Sequence, residues 1–175
     1  MLTRTVPPIP RGFSLIEMMI AVVIVGLLLM AGVPAYTTWI QNLQIRTGAE
    51  AILNGMQLAR AEAVRRNTNV RFVLTALPSP AWTVSVAADG SQIQSRPGGE
   101  GTRNAVVTVT PAGATTVTFN GFGAVIDIAP VTQVDVDSAV LPAADSRELR
   151  VRVSTGGGVK MCDPNIAAGD PLACS

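Results

Sequence analysis

RGFSLIEMMIAVVIVGLLLMAGV, residues 11–33, is the stretch from which the rest of the chain is read. Residues 18–33 carry no charge. A helix from Phe13 to Val33 would be roughly 31 Å long at ~1.5 Å per residue, against a bilayer core about 30 Å thick. The only upstream charges are Arg4 and Arg11, whereas the first basic residue downstream is Arg46. Cationic residues stay on the cytoplasmic side, so this asymmetry predicts a cytoplasmic N-terminus and places the residues beyond 35 outside. The apolar run is longer than the roughly 7–15 residues of a secretory signal peptide, and no small-x-small cleavage site follows it cleanly.

A simple signal anchor explains the length and the flanking charges but not Glu17. An isolated carboxylate inside the bilayer costs on the order of 2.5–3.5 kcal/mol even on lenient insertion scales, and such a group normally has a cationic partner.

Outward from this stretch the composition changes. The 48% of hydrophobic residues is concentrated near the N-terminus, and the remainder is rich in Gly, Thr, Ala, Pro and Val. The chain has no histidine, which excludes Ser-His-Asp and Cys-His catalysis and any imidazole zinc site. The aromatics Phe13, Tyr36, Trp39, Phe72, Trp82, Phe119 and Phe122 are few, so the expected core is small and valine-rich, with no large cofactor pocket. No cofactor, no metal site and no enzymatic activity are expected.

Pro34 lacks an amide and crowds the preceding turn, which predicts a kink where the helix leaves the membrane. Beyond it Ile45, Ala49, Ile52, Met56, Ala59 and Ala63 recur at spacings of four and three and form one apolar stripe. Arg46, Glu50, Asn54, Arg60 and Arg65 fall elsewhere. The order of Glu62 and Arg66 favours an ion pair, and the helix should end near Arg66 and Asn67. Gly48 and Gly55 are expected to weaken it locally. One long helix is predicted, apolar all round in its first half and amphipathic in its second.

After the helix, residues 70–76, 82–88, 105–110, 116–120, 124–128, 132–137 and 148–153 have strand composition and alternation, which predicts antiparallel sheet. Turn signals separate them at Asp89-Gly90, Pro97-Gly98-Gly99, Pro111-Ala112-Gly113 and Asn120-Gly121, the last read as a tight hairpin. Residues 89–104 read as a mobile loop.

The residues RGFSLIEMMIAV, 11–22, resemble the class III signal of type IV pilins and type II secretion pseudopilins. The resemblance implies that a leader, residues 1–12, is removed by a prepilin peptidase after Gly12. It also implies that the new N-terminal residue Phe13 is N-methylated by the same enzyme. Glu17 would then meet the Phe13 amine of a neighbouring subunit, which supplies the missing cationic partner. Loss of Arg4 and Arg11 from the 13 basic residues leaves 11 against 12 acidic ones, so no global basic character survives. The stretches LNGMQLARAEAVRRN (53–67), FNGFGAV (119–125) and RVRVSTGGGVKMCDPN (150–165) look like the GspH/FimT group of minor pilins and minor pseudopilins. The Gly-Arg common at the last turn of that group is Gly158-Val159-Lys160 here.

The implied fold is α+β of the type IV pilin kind, a long kinked N-terminal helix packed on an antiparallel β-sheet head. Residues 13–34 form the transmembrane half of the helix, 35–67 the amphipathic half and 68–175 a periplasmic head. The implied function is a minor pilin of a Gram-negative type IV pilus, in the tip or initiation complex. The alternatives are a minor pseudopilin of type II secretion and a pilus-associated DNA receptor. The implied partners are other minor pilins, the major pilin, the prepilin peptidase, the inner-membrane assembly platform and the inner membrane itself.

Cys162 and Cys174 lie in the part placed outside the cytoplasm, which predicts a disulfide closing a short C-terminal loop. Gly156-Gly157-Gly158-Val159-Lys160 lacks the Ser/Thr and the following helix of a phosphate loop, and reads as a hairpin turn. A Ser154-Lys160 dyad is rejected, since a lone lysine on an exposed turn lacks the burial that would activate it. Asp127, Asp135, Asp137 and Asp145 make a locally acidic stretch, read as a solvated edge in preference to a calcium site. Arg147, Arg150, Arg152 and Lys160 reverse the sign and are the candidate phosphate-binding patch, with inter-subunit pairing or solubility as the competing reading.

Overall fold

The structure, a computed structural model, describes residues 12–174. The predicted leader, residues 1–12, lies outside the described residues except for Gly12. The chain divides into two compact units, one ending at Thr37 and the other beginning at Thr38.

Helix α1 spans Leu15–Arg66 and its assignment is continuous through Pro34. Pro34 gives no amide to the helix. Its carbonyl accepts the Thr37 hydroxyl at 2.8 Å. The most apolar window of α1 has mean hydropathy 2.6 and none of it is buried within the chain, so the helix is long and apolar enough to cross a membrane. Large apolar side chains from Leu15 to Val33 face outward. In water that exposure would be strongly unfavourable at roughly 25 cal/mol per Å².

In the second unit α1 is amphipathic. Ile45, Ala49, Ile52, Met56, Ala59 and Ala63 are each 0% exposed, so the stripe expected from spacing is the buried face. Asn67 ends the helix in the left-handed region at φ 48°. Its amide reaches the Val64 carbonyl at 3.3 Å and the Thr68 amide reaches Ala63 at 3.2 Å, the paired bonds of a Schellman cap.

Two four-stranded antiparallel sheets complete the unit. The first runs β3-β2-β1-β5 in space, with β1 Val70–Leu74, β2 Trp82–Val86, β3 Gln92–Arg96 and β5 Thr116–Phe119. The second runs β4-β6-β7-β8, with β4 Ala105–Thr110, β6 Gln133–Ser138, β7 Leu149–Val153 and β8 Val159–Cys162. The first sheet sets Phe72 beside Val84 and Val117, and the second sets Val134 beside Val109 and Val151. Alternation of period two sends these residues to one face, where they join the helix stripe in a single core.

The structure corrects three sequence expectations and adds a reason to a fourth. Residues 89–104 are not one loop, because β3 forms within them. Residues 124–128 are not a strand beyond one bridge between Phe119 and Val125. Here the Asp127 carboxylate, in place of a main-chain carbonyl, accepts the Thr118 amide on the edge of β5. The Asn120-Gly121 reversal is wider than a two-residue hairpin, since the Asn120 amide bonds the Ala124 carbonyl and its side chain accepts the Phe122 and Ala124 amides. Gly48 and Gly55, expected to weaken the helix, sit where the helix packs closely on the sheets. A Cβ on Gly55 would lie 2.8 Å from Phe72 Cε2 and 2.9 Å from Trp82 Cε2, and one on Gly48 3.2 Å from Val136 Cγ1.

Candidate functional site

At the start of α1, Ser14 and Glu17 form a reciprocal capping box. The Ser14 hydroxyl accepts the Glu17 amide at 3.2 Å, and the Glu17 carboxylate accepts the Ser14 amide at 3.5 Å. The S-x-x-E spacing carries this signal, and the reading of Glu17 as a buried charge passed over it. Phe13 is 81% exposed and nothing lies within 4 Å of a Cβ built on Gly12. The Gly12-Phe13 bond therefore stands clear of the helix, with Glu17 one turn away.

At the other end of the chain Cys162 and Cys174 are joined by a disulfide, with Cα atoms 5.0 Å apart and a sequence separation of 12. The loop has little other anchoring: the Asp163 amide bonds the Leu172 carbonyl at 2.8 Å, and the two strands of chain bridge at Asp163 and Ala173. Reduction, or Cys162→Ser with Cys174→Ser, should lower stability by about 3 kcal/mol on the chain-entropy account. The fall in thermal midpoint between oxidised and reduced protein measures it.

Of the basic residues near the C-terminus, Arg150, Arg152 and Lys160 share one face of the second sheet, Arg150 and Arg152 two residues apart on β7 and Lys160 opposite Arg152 on β8. Arg150 donates to Asp135 at 2.5 Å across β7 and β6, where the two are register partners. Arg147 sits where its amide donates to Asn42 on α1 at 2.8 Å.

Of the acidic stretch, the carboxylates of Asp127, Asp135 and Asp137 are engaged, and Asp145 is held through its main chain. Asp135 also accepts the Gln133 side-chain amide at 2.7 Å, Asp137 accepts the Ser138 amide and the Ser146 hydroxyl, and the Asp145 carbonyl accepts Asn42. Burial, with Asp135 and Asp137 nearby, pushes the Glu148 carboxyl above its ordinary range. Among the described residues no cluster of His, Cys, Asp or Glu has metal-binding geometry. Ser154 closes the β7–β8 turn, its hydroxyl accepting the Gly158 amide at 3.0 Å. On the helix, hydrogen bonds from Arg65 and Arg66 hold the Glu62 carboxyl down at about 2. This pins the last turn just ahead of the Asn67 cap.

The sequence matches the family described as type II transport protein GspH over residues 48–157, more than half of the chain. It matches the prokaryotic N-terminal methylation motif over residues 10–33. A search of curated proteins finds no match. Among solved structures, the fold is similar to the type IV minor pilin FimU of Pseudomonas aeruginosa (strain PAO1) in two crystal forms. Both give a TM-score of 0.53 at 17% identity and cover 71% of this chain, with 97% of the FimU chain covered in one form and 92% in the other.

Proposed function

The chain belongs to the GspH family, and from that premise we propose that it is a membrane-anchored minor pilin that takes part in type IV pilus assembly, in the tip or initiation complex. One observation carries the reading. A methylation motif, residues 10–33, and a GspH head, residues 48–157, are joined by a single helix, Leu15–Arg66, whose first part exposes large apolar side chains around Glu17 and whose second part is amphipathic. Such a helix holds the unassembled chain in the inner membrane and offers the same apolar surface to neighbouring helices within a filament. On this reading a prepilin peptidase cuts after Gly12, Phe13 is methylated, and the inner-membrane platform moves the chain, its head already periplasmic, from the membrane into the filament with other minor pilins and the major pilin. The molecule works by packing, and Glu17 sets the axial position of each helix against the Phe13 amine of the next.

The family's own description, a type II transport protein, favours a second reading as a minor pseudopilin of protein secretion. The test is to shear surface pili from cells lacking the protein and from complemented cells, and to measure secreted protein in the same cultures. Loss of pili with normal secretion is the expected result. Normal pili with lost secretion would move the chain to the pseudopilus, and if both stay normal, DNA uptake through Arg152 and Lys160 becomes the reading to pursue.

A further inference from the structure

The two sheets end in four edges, and three of them differ from the fourth in a way that bears on binding. The edge of β5 is capped by Asp127, and the Ile126 amide bonds the Thr118 carbonyl at 3.1 Å. The edge of β4 is held by the Val107 amide on the Pro78 carbonyl at 2.7 Å. The strand β3 is polar and exposed along most of its length. Strand β8 is the fourth.

Main-chain bonding in an antiparallel ladder alternates, so its direction at each residue of β8 is determined. The Ser154 amide bonds the Gly158 carbonyl at 2.9 Å, and Arg152 and Lys160 are the next pair but one along the register. Lys160 and Cys162 therefore bond to β7, while Val159, Met161 and Asp163 turn their N–H and C=O groups to the outer edge. The Asp163 amide is taken by Leu172 in the disulfide loop. Val159 and Met161 have no such bond among the described residues. The loop closes the edge at one end and leaves it open over these two residues.

A recess lies on each side of this opening. One, of ≈ 540 Å³, is lined by Arg60, Ala61 and Val64 of α1 together with Val159. The other, of ≈ 420 Å³, is lined by Arg152, Lys160, Pro171 and Ala173. Val64 is 52% exposed, which makes the floor of the first recess apolar. Neither Lys160 nor Arg60 has an ion pair among the described residues. The nearby carboxylates of Asp163 and Asp170 are engaged within the loop by the Asn165 and Leu172 amides, both at 2.8 Å.

We propose that the open edge of β8 at Val159 and Met161 receives an extended segment of a different protein chain as an added β-strand, with an acidic side chain beside Lys160 and apolar side chains on either side of it. The outward main-chain groups supply the pairing. Alternation then sends the apolar side chains over Ala61 and Val64, and the acidic one toward Lys160 and Arg152. A second copy of this chain is disfavoured, because β8 paired with itself about Lys160 would oppose two like charges.

The test uses the full isotopically labelled chain in detergent micelles, titrated to millimolar concentration with the capped peptide TVEVT and, separately, with TVKVT. Expected are shifts and slowed hydrogen exchange at the Val159 and Met161 amides, no change in exchange at the β7-bonded Lys160 amide, and at least tenfold weaker binding of TVKVT. Met161→Pro removes an outward amide without touching the β7 ladder and should abolish binding. Lys160→Glu, which leaves main chain and core in place, should reverse the preference between the peptides. Absence of any shift with TVEVT, or equal binding of both peptides, overturns the proposal. Concentration-dependent shifts of the same amides without peptide would give the edge to a second copy and overturn it equally.

Discussion

Phe72→Ala should lower the stability of the second unit by about 3–5 kcal/mol, the range for emptying a fully buried aromatic site. That is a large share of the roughly 5–15 kcal/mol that holds an ordinary domain folded. Phe72 is 0% exposed, its ring centroid lies 5.7 Å from that of Trp82, and it sits between Val84 and Val117 in the sheet register. It also fills the space that the missing side chain of Gly55 leaves on the helix. Gly55→Ala alone improves helix propensity by about 1 kcal/mol, but its Cβ would fall 2.8 Å from Phe72 Cε2, so the ring must move. The two substitutions should therefore couple: in the Phe72→Ala background the penalty of Gly55→Ala shrinks or reverses sign. Urea unfolding of the four proteins, followed by tryptophan fluorescence, gives the coupling directly. Strict additivity would mean that the helix does not rest on this ring.

The same contact illustrates what could be read from the residues and what could not. The stripe from Ile45 to Ala63 was legible because a helix exposes its burial pattern in spacing alone, and each member is fully buried. Why Gly55 breaks the helix-forming composition was not legible, since its reason lies in Phe72 and Trp82, far along the chain. The inner strands announced themselves through valine alternation, whereas the edge strand β3, QIQSR, has one apolar residue, and the edge strand β8, VKMC, is only four residues long and follows a glycine run. Residues 124–128 gave a false strand because Asp127 uses its side chain where a strand would use its main chain. At the candidate sites the cysteine pairing followed from composition and compartment, but the neutralisation of Arg150 by Asp135 depends on β6–β7 register, which local pattern does not reveal.

Glu17 offers the second large effect, and the capping box sharpens its test. Two roles predict different outcomes from the same residue. If Glu17 serves chiefly its own helix, its carboxylate accepts the Ser14 amide, and glutamine can do the same at that position. If it serves assembly, its charge must meet the amine of a neighbouring Phe13 in an apolar filament core, and glutamine cannot replace it. Breaking such a pair by removing one partner costs about 3–5 kcal/mol, and at about 1.4 kcal/mol per tenfold this is a loss of at least about a hundredfold in incorporation. We expect Glu17→Ala and Glu17→Gln alike to leave the Cys162–Cys174 disulfide and the thermal midpoint of the head unchanged, because Glu17 lies in the first unit and the core in the second. Both should nonetheless be almost absent from sheared filaments, measured by immunoblot against the membrane-held pool. Normal incorporation of Glu17→Gln alongside loss of Glu17→Ala would assign the residue to helix capping. Normal incorporation of both would remove it from assembly altogether.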